Sequence, residues 1–362
     1  LIVQYDDQVF CRQRFGGVSR YFAALIDQFL ADESLDVQVQ LPFRFTRSNH
    51  LHSVVPDRVR LVREGGCLDR KGSCRLANRL APRRQRSDSG VFHPTMYATT
   101  ALTGPKGARL VTTIYDMIPE LFPQYFRRNQ HEAKIVLAER SDAVLCISVT
   151  ARDDLLRMSR VRPEKTFVSP LATETLSRHD IGTANRDRRL LYVGHRSAYK
   201  NFETLLDALT LVRETEFEVL CVGGGPLAAA ELARVAALPS GVRLQQCNLS
   251  ELDLRGAYLT SAALVSPSLA EGFGLPVLEA MGAGCPVLLS DIPVYREFWS
   301  GLDGFFPPAD AVALAAGIDI VLGLDAERLR ARGQQGWQLA QAFSWKATAA
   351  ATSDVYRRVL GR

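Results

Sequence analysis

No stretch of this 362-residue chain stays apolar over the roughly 18 residues that a membrane-spanning helix needs, so nothing in it reads as a bilayer span. The opening LIVQYDDQVF has neither the charged start nor the long apolar run of a secretory signal. The 7 cysteines are scattered without the paired spacing of a metal site. An odd count with no export signal predicts reduced thiols and a cytoplasmic setting, against which a Cys67–Cys74 bridge across one loop is the competing possibility. Neither GxGxxG nor GxxxxGK[ST] occurs, so dinucleotide and P-loop binding lack their fingerprints. His131-Glu132 has no second histidine at zinc-site spacing. Charge of one sign is in slight excess, +5, which suits an anionic ligand or membrane surface and is no nucleic-acid signature.

What is present is a long α/β alternation. The length suits two domains, and a hydrophobic content of 47% gives each a core. LIVQY, VQVQL, GVFHP, RLVTTIY and DAVLCIS read as strands of a first half, with helical stretches such as Val18 to Leu30 and Gln130 to Arg140 between them. RLLYVG, FEVLCVG, VRLQQC, ALVSPS and PVLLSD repeat the scheme. Alternation of this kind predicts parallel sheets with right-handed crossovers, hence two Rossmann-like doubly wound units. The polar, non-periodic residues 174–188 mark the linker, giving domains over 1–173 and 187–344. Two such domains facing each other leave a central cleft at the carboxyl ends of their strands.

The strongest signal runs from Ser266 to Asp291, SPSLAEGFGLPVLEAMGAGCPVLLSD. A strand leads into a loop holding Glu271, Gly272 and Gly274, and Pro276 sits where a helix begins. Glycines let the backbone approach a ligand, and the first-turn amides favour an anion. Two carboxylates, Glu271 and Glu279, beside an anion-binding turn suit a polyhydroxyl group carried on a phosphate, since each carboxylate accepts two hydroxyl hydrogen bonds. A capping loop, with Glu279 as a first-turn acid, accounts equally well for either glutamate alone. Arg196 and Lys200 follow the strand RLLYVG, where a cation pair suits a diphosphate and a pair of solvated charges is the plainer explanation. Gly223 to Gly225 fit either a nucleotide pocket or a strand-to-helix turn.

Glu271-Gly-Phe-Gly-Leu-Pro-Val-Leu-Glu279 closely resembles the Glu-x7-Glu motif of retaining family 4 glycosyltransferases of the GT-B fold. The likeness extends to Phe15-Gly-Gly-Val-Ser-Arg-Tyr, Thr113-Ile-Tyr-Asp-Met-Ile-Pro and Tyr192-Val-Gly-His-Arg-Ser-Ala-Tyr-Lys-Asn, and so over nearly the whole chain. The resemblance implies an acceptor-binding first domain, a nucleotide-sugar-binding second domain, and a final helix, 345–362, packing back on the first. It also implies that Glu279 holds the donor ribose and Glu271 the transferring sugar, with the amides of Phe273, Gly274 and Leu275 near sugar and diphosphate. Arg196 and Lys200 would meet the pyrophosphate, and Gly16 and Gly17 would approach the donor. Many relatives have His-Asp where this chain has Tyr115-Asp116, so Asp116 keeps a positioning or assisting role and a histidine base is missing there. His93 and Tyr115 are candidate sugar or acceptor contacts, with a structural role the alternative for a lone strand-end histidine such as His93.

The implied reaction is retaining hexosyl transfer to a glycan or lipid-linked acceptor of cell-surface polysaccharide synthesis, with GDP-mannose the first donor expected and UDP-sugars next. No cofactor is expected. Metal-dependent enzymes of another fold use Asp-x-Asp to hold a divalent ion, and that motif is absent here. Arg70, Lys71, Arg75, Arg79, Arg83, Arg84 and Arg86 crowd one segment that suits a lipid-linked phosphate or an anionic membrane, and so a peripheral position at the inner membrane face, with a solvated loop the equal alternative. A nucleotide-sugar epimerase or hydrolase on the same fold, and a non-catalytic nucleotide-sugar sensor, are the competing functions.

Overall fold

The computed structural model describes residues 1–70, 72–81, 90–126, 133–196 and 198–361. The chain divides into two compact units, Leu1–Leu171 with Trp345–Arg362, and Ala172–Ser344.

The first unit is built on six parallel strands: β1 (Ile2–Tyr5), β2 (Gln38–Gln40), β5 (Val91–His93), β6 (Arg109–Ile114), β7 (Ala143–Cys146) and β8 (Thr166–Val168), in the order β2-β1-β5-β6-β7-β8. Two short strands, β3 (Phe45–Thr46) and β4 (Arg60–Leu61), pair with each other apart from it. The register is Val3 against Val91 and Val111 against Ala143. β7 is buried along its whole length, as expected of a strand covered on both faces. The helix Gly17–Ala31 forms because Tyr21, Phe22, Leu25, Ile26 and Phe29 recur on one face, and all five are buried. The closing helix, Trp345–Val359, belongs to this unit and buries Val355 and Tyr356 in it.

The second unit repeats the plan with β9 (Asp187–Val193), β10 (Phe217–Val222), β11 (Val242–Cys247), β12 (Ser261–Ser266), β13 (Val287–Ser290) and β14 (Phe305–Phe306), in the order β11-β10-β9-β12-β13-β14. Every pairing is parallel, and the order reverses between β9 and β12. Leu190, Val219, Ala263 and Leu288 from four of these strands pack with Phe202, Leu205, Ile318 and Val321 of the covering helices.

Several expectations need correction. The polar linker contains a helix, Arg178–Thr183, capped by Ser177 accepting from the Asp180 amide. Arg186 is no linker charge, since its guanidinium donates to the Leu259 and Ser261 carbonyls at 2.9 Å each. The helix expected over Gln130 to Arg140 is described as Ala133–Arg140, and its expected start at residues 130–132 lies outside the described residues, as does the His131-Glu132 pair. The thiols are not all reduced: Cys11 is bonded to Cys74, with Cα atoms 5.6 Å apart, while Cys67 is free and exposed. Spacing suggested the wrong partner because the helix Ser73–Leu80 packs on the short β3 strand, which brings Cys74 to Cys11 across 63 residues.

Candidate active site

In an open doubly wound sheet the ligand crevice lies outside the carboxyl ends of the two strands where the order reverses. In the second unit those strands are β9 and β12, and the loops leaving them carry Arg196 and Lys200 on one side and Glu271 on the other. The two loops are stitched together. The Leu269 amide donates to the Tyr199 carbonyl at 2.7 Å, and the Asn201 side-chain amide to the Pro267 carbonyl at 3.0 Å. Asn201 adopts φ 55°, a left-handed turn that asparagine tolerates, and so ends the loop and opens the helix Phe202–Leu209.

Lys200 Nζ lies 2.5 Å from Glu271 Oε1, which also accepts from Ser268 Oγ at 2.8 Å. Both partners are largely enclosed, at 18% and 11% side-chain exposure, so the attraction is screened far less than at an open surface. Tyr295, whose hydroxyl pairs with Ser266 Oγ at 2.6 Å, shares with them a cavity of about 10 Å³, room for about one water. Burial holds the Tyr295 phenol well above its usual range, leaving it a neutral hydrogen-bonding group.

The helix Leu275–Gly282 starts beside this pair. Gly274 has φ +95°, and a Cβ there would stand 2.7 Å from Tyr295 Cε1, so both backbone and space demand glycine. Leu275 takes the first helical position and Pro276 the second, one later than expected. The amides of Phe273, Gly274 and Leu275 donate to nothing among the described residues, which leaves an anion-seeking helix terminus open. The Phe273 ring is elsewhere, packed on Phe298, Trp299 and Phe343, so only its backbone remains for a ligand. Glu279 sits one turn in and accepts from Tyr258 Oη at 3.2 Å.

Arg196 departs from expectation. It is no solvated loop charge, for its side chain is 6% exposed. Nε donates to Glu231 at 2.8 Å, Nη1 to the Gly223 carbonyl at 3.1 Å, and Nη2 to the Gly225 and Pro226 carbonyls at 2.9 and 2.8 Å. Gly223, Gly224 and Gly225 all have positive φ, which aligns this run of carbonyls on the guanidinium. Of the five N–H donors of an arginine, four are thus committed inside the unit.

Residues 187–323 match the family model described as Glycosyl transferases group 1. The MMP alpha-(1->4)-mannosyltransferase of Mycolicibacterium hassiacum is 30% identical over 243 residues, 62% of this chain and 56% of that protein. The O-antigen chain mannosyltransferase RfbU of Salmonella typhimurium is 26% identical over 207 residues, 56% of this chain and 58% of that protein. The chain therefore spans a little over half the length of the curated relatives it matches. Sucrose-phosphate synthase from Thermosynechococcus elongatus superimposes with a TM-score of 0.73 at 21% identity, covering 99% of both chains. Anabaena HepE in complex with UDP-glucose gives a TM-score of 0.67 at 17% identity over 99% of this chain and 98% of that one. The chain has the GT-B fold of these structures, and its second unit resembles the glycosyl transferases group 1 family over residues 187–323.

Within the first GT-B unit the named residues fare unequally. Gly16 caps the helix Gly17–Ala31 with extended backbone, and Gln13 Oε1 accepts from the Ser19 amide. The Gly17 and Val18 amides donate to nothing among the described residues. Asp116 is one-third exposed and accepts from the Ile118 amide at 3.0 Å. Behind it stands Lys134, 1% exposed, donating to the Asp116 carbonyl and to Glu120 at 2.8 Å each. A lone lysine in AKIVLAER reads as surface charge, and nothing in the sequence signals this buried anchor.

His93 is corrected from ligand contact to core residue. It is fully buried, with Nδ1 on Tyr356 Oη at 2.7 Å and Nε2 on Thr113 Oγ1 at 2.8 Å. Burial pushes its pKa down to about 3, so the ring is neutral at ordinary pH. Tyr115 is also enclosed, packed between Tyr21 and Tyr97, and its buried hydroxyl has no hydrogen-bond partner. Its side chain is therefore a wall of the fold and not an open sugar contact. Of the basic segment, Lys71, Arg83, Arg84 and Arg86 lie outside the described residues, Arg70 and Arg79 are exposed, and Arg75 turns toward Asp7 at 3.7 Å. Among the described residues no helix is long and apolar enough to cross a membrane.

Proposed function

We propose that this chain transfers a hexose, mannose in the first instance, from a nucleoside-diphosphate sugar to a glycan or lipid-linked acceptor of cell-surface polysaccharide synthesis, with retention of configuration and without a metal ion. The observation that carries the reading is the Lys200–Glu271 pair beside three uncommitted amides at the β9/β12 reversal. A departing diphosphate needs positive charge fixed in advance, because preorganised dipoles and cations stabilise charge as it develops. Lys200 and the helix terminus at Phe273 to Leu275 supply it, while Arg196 chiefly sets the shape of the glycine turn and offers its one remaining N–H. Glu271, held by Lys200 and Ser268, orients the sugar hydroxyls, and Glu279 with Tyr258 receives the ribose. In the first unit, the Gly17 and Val18 amides form a second anion-seeking terminus, and Asp116 positions the acceptor or assists its deprotonation.

The names of the relatives support a mannosyl or other glycosyl donor, and the UDP-glucose complex of a similar fold keeps UDP-sugars in the panel. The test is nucleotide release from GDP-mannose and UDP-hexoses, with and without glycan acceptors, in EDTA. Release that requires acceptor supports transfer. Acceptor-independent release fits a hydrolase, an isomerised donor an epimerase, and donor binding without turnover a sensor. Activity abolished by EDTA and restored by Mg²⁺ or Mn²⁺ rejects the metal-free route.

A further inference from the structure

The order of the first sheet also reverses, between β1 and β5, and a cavity of about 390 Å³ opens there. Its floor is the register pair Gln4 and Phe92 of those two strands, and its walls include Asp7 just after β1, Phe43 after β2, and Arg75, Asn78 and Arg79 of the helix Ser73–Leu80. The space is ample for one or two sugar rings and falls within the usual range of small-molecule sites.

The hydrogen-bonding capacity left in this cavity is selective. Gln4 is 4% exposed, and its amide oxygen is buried without a partner, which in a native interior calls for an explanation. Arg75 Nε is likewise buried and unbonded, lying 3.7 Å from Asp7, too far for a hydrogen bond. Arg79 enters no ion pair among the described residues. Asp6, by contrast, is spent on the Thr95 amide and hydroxyl and on the Gln8 side chain. Asn78 is spent as well, spanning Asp7 and the Phe45 backbone, which fixes the helix that carries both arginines. What this leaves toward the cavity is the Arg79 guanidinium, the unbonded Nε of Arg75 beside Asp7, and the amide oxygen of Gln4.

We propose that this cavity binds a sugar residue bearing an anionic group, the charge on Arg79 with the Arg75 Nε beside it, and a ring hydroxyl donating to the Gln4 amide oxygen. A neutral sugar leaves the arginines unused, and a bare anion leaves the buried Gln4 oxygen without a donor. On the transfer reading above, such a residue belongs to the acceptor, making the acceptor an acidic glycan or a sugar phosphate. The binding itself requires no donor and no turnover, so its failure and the failure of the transfer reading are separable.

The experiment is calorimetric or NMR titration of the full chain with glucuronic acid, glucose 6-phosphate and glucose, in parallel with UDP. At least one acid should bind tenfold or more tightly than glucose. The tighter acid identifies the source, glucuronate pointing to an acidic glycan and the phosphate ester to a sugar phosphate. Arg79→Ala, at an exposed position, should weaken that binding about tenfold or more, as loss of a charge-assisted hydrogen bond requires, while leaving the melting temperature and UDP affinity unchanged. Gln4→Leu should weaken acid and glucose alike. Absence of binding by both acids, equal affinity for glucose, or wild-type affinity in Arg79→Ala would overturn the proposal.

Discussion

Truncating Arg196 to alanine removes a buried positive charge and five hydrogen bonds together: one to Glu231 and four to the carbonyls of Gly223, Gly224, Gly225 and Pro226. Glu231, 14% exposed, is left without its counter-charge, and stranding one member of an enclosed ion pair costs about 3–5 kcal/mol. The carbonyls can turn to solvent, because Gly224 and Pro226 are exposed, so they add little. For a unit the size of residues 172–344, about 1 kcal/mol moves the midpoint roughly 2–4 °C, giving a fall of about 6–20 °C. The assay is a thermal melt of wild type, Arg196→Ala, Glu231→Ala and the double variant. The double variant should lose clearly less than the sum of the singles, with a coupling of about 1–3 kcal/mol. Donor affinity should also fall, because Gly223–Gly225 lose the group that orders them. A melt within about 1 °C of wild type, with the same loss of donor affinity, would refute the bracing role and return Arg196 to direct diphosphate contact.

Three further outcomes follow. Glu271→Gln should lower kcat by about 10- to 100-fold with a smaller change in donor affinity, since it neutralises a partner of Lys200 that acts chiefly as the sugar departs; steady-state kinetics against donor binding separates the two. His93 is neutral when folded, with a pKa near 3, so stability is full above the unfolded pKa near 6.5 and is lost as pH falls toward 3. Between pH 7 and 5 that loss is about 2 kcal/mol, and His93→Gln should flatten the slope of denaturant stability over this window; an unchanged slope contradicts the buried neutral ring. For the basic segment, liposome flotation should show binding to anionic vesicles and none to neutral ones, each arginine or lysine near the surface contributing about 1 kcal/mol; equal binding to both rejects the membrane role.

The sheets were legible because buried parallel strands such as AVLC and VLLS are short apolar runs between helical patterns, and the pattern needs no tertiary knowledge. β8 and β14, of three and two residues, carry too little sequence to announce themselves and exist only as edges paired to β7 and β13. The Arg178–Thr183 helix had a readable start in Ser177 and Asp180, and its polar composition hid it. At the site, Glu271 and Lys200 were legible because each ends a strand in a glycine- or turn-rich loop. Glu231, Tyr258 and Tyr295, which hold or flank Arg196, Glu279 and Gly274, lie 21 to 35 residues away in sequence and look like ordinary helix residues. His93 misled for the converse reason: a strand-end histidine looks exposed until Tyr356, 263 residues on, is packed over it.

The most direct test is the anomeric configuration of the product. With an α-linked nucleotide-sugar donor in EDTA, proton NMR of the early product should show an α-glycoside whose formation disappears in Lys200→Ala. A β-glycoside, or α-product formed at wild-type rate without Lys200, would contradict retaining transfer driven by Lys200 and the helix terminus beside Glu271.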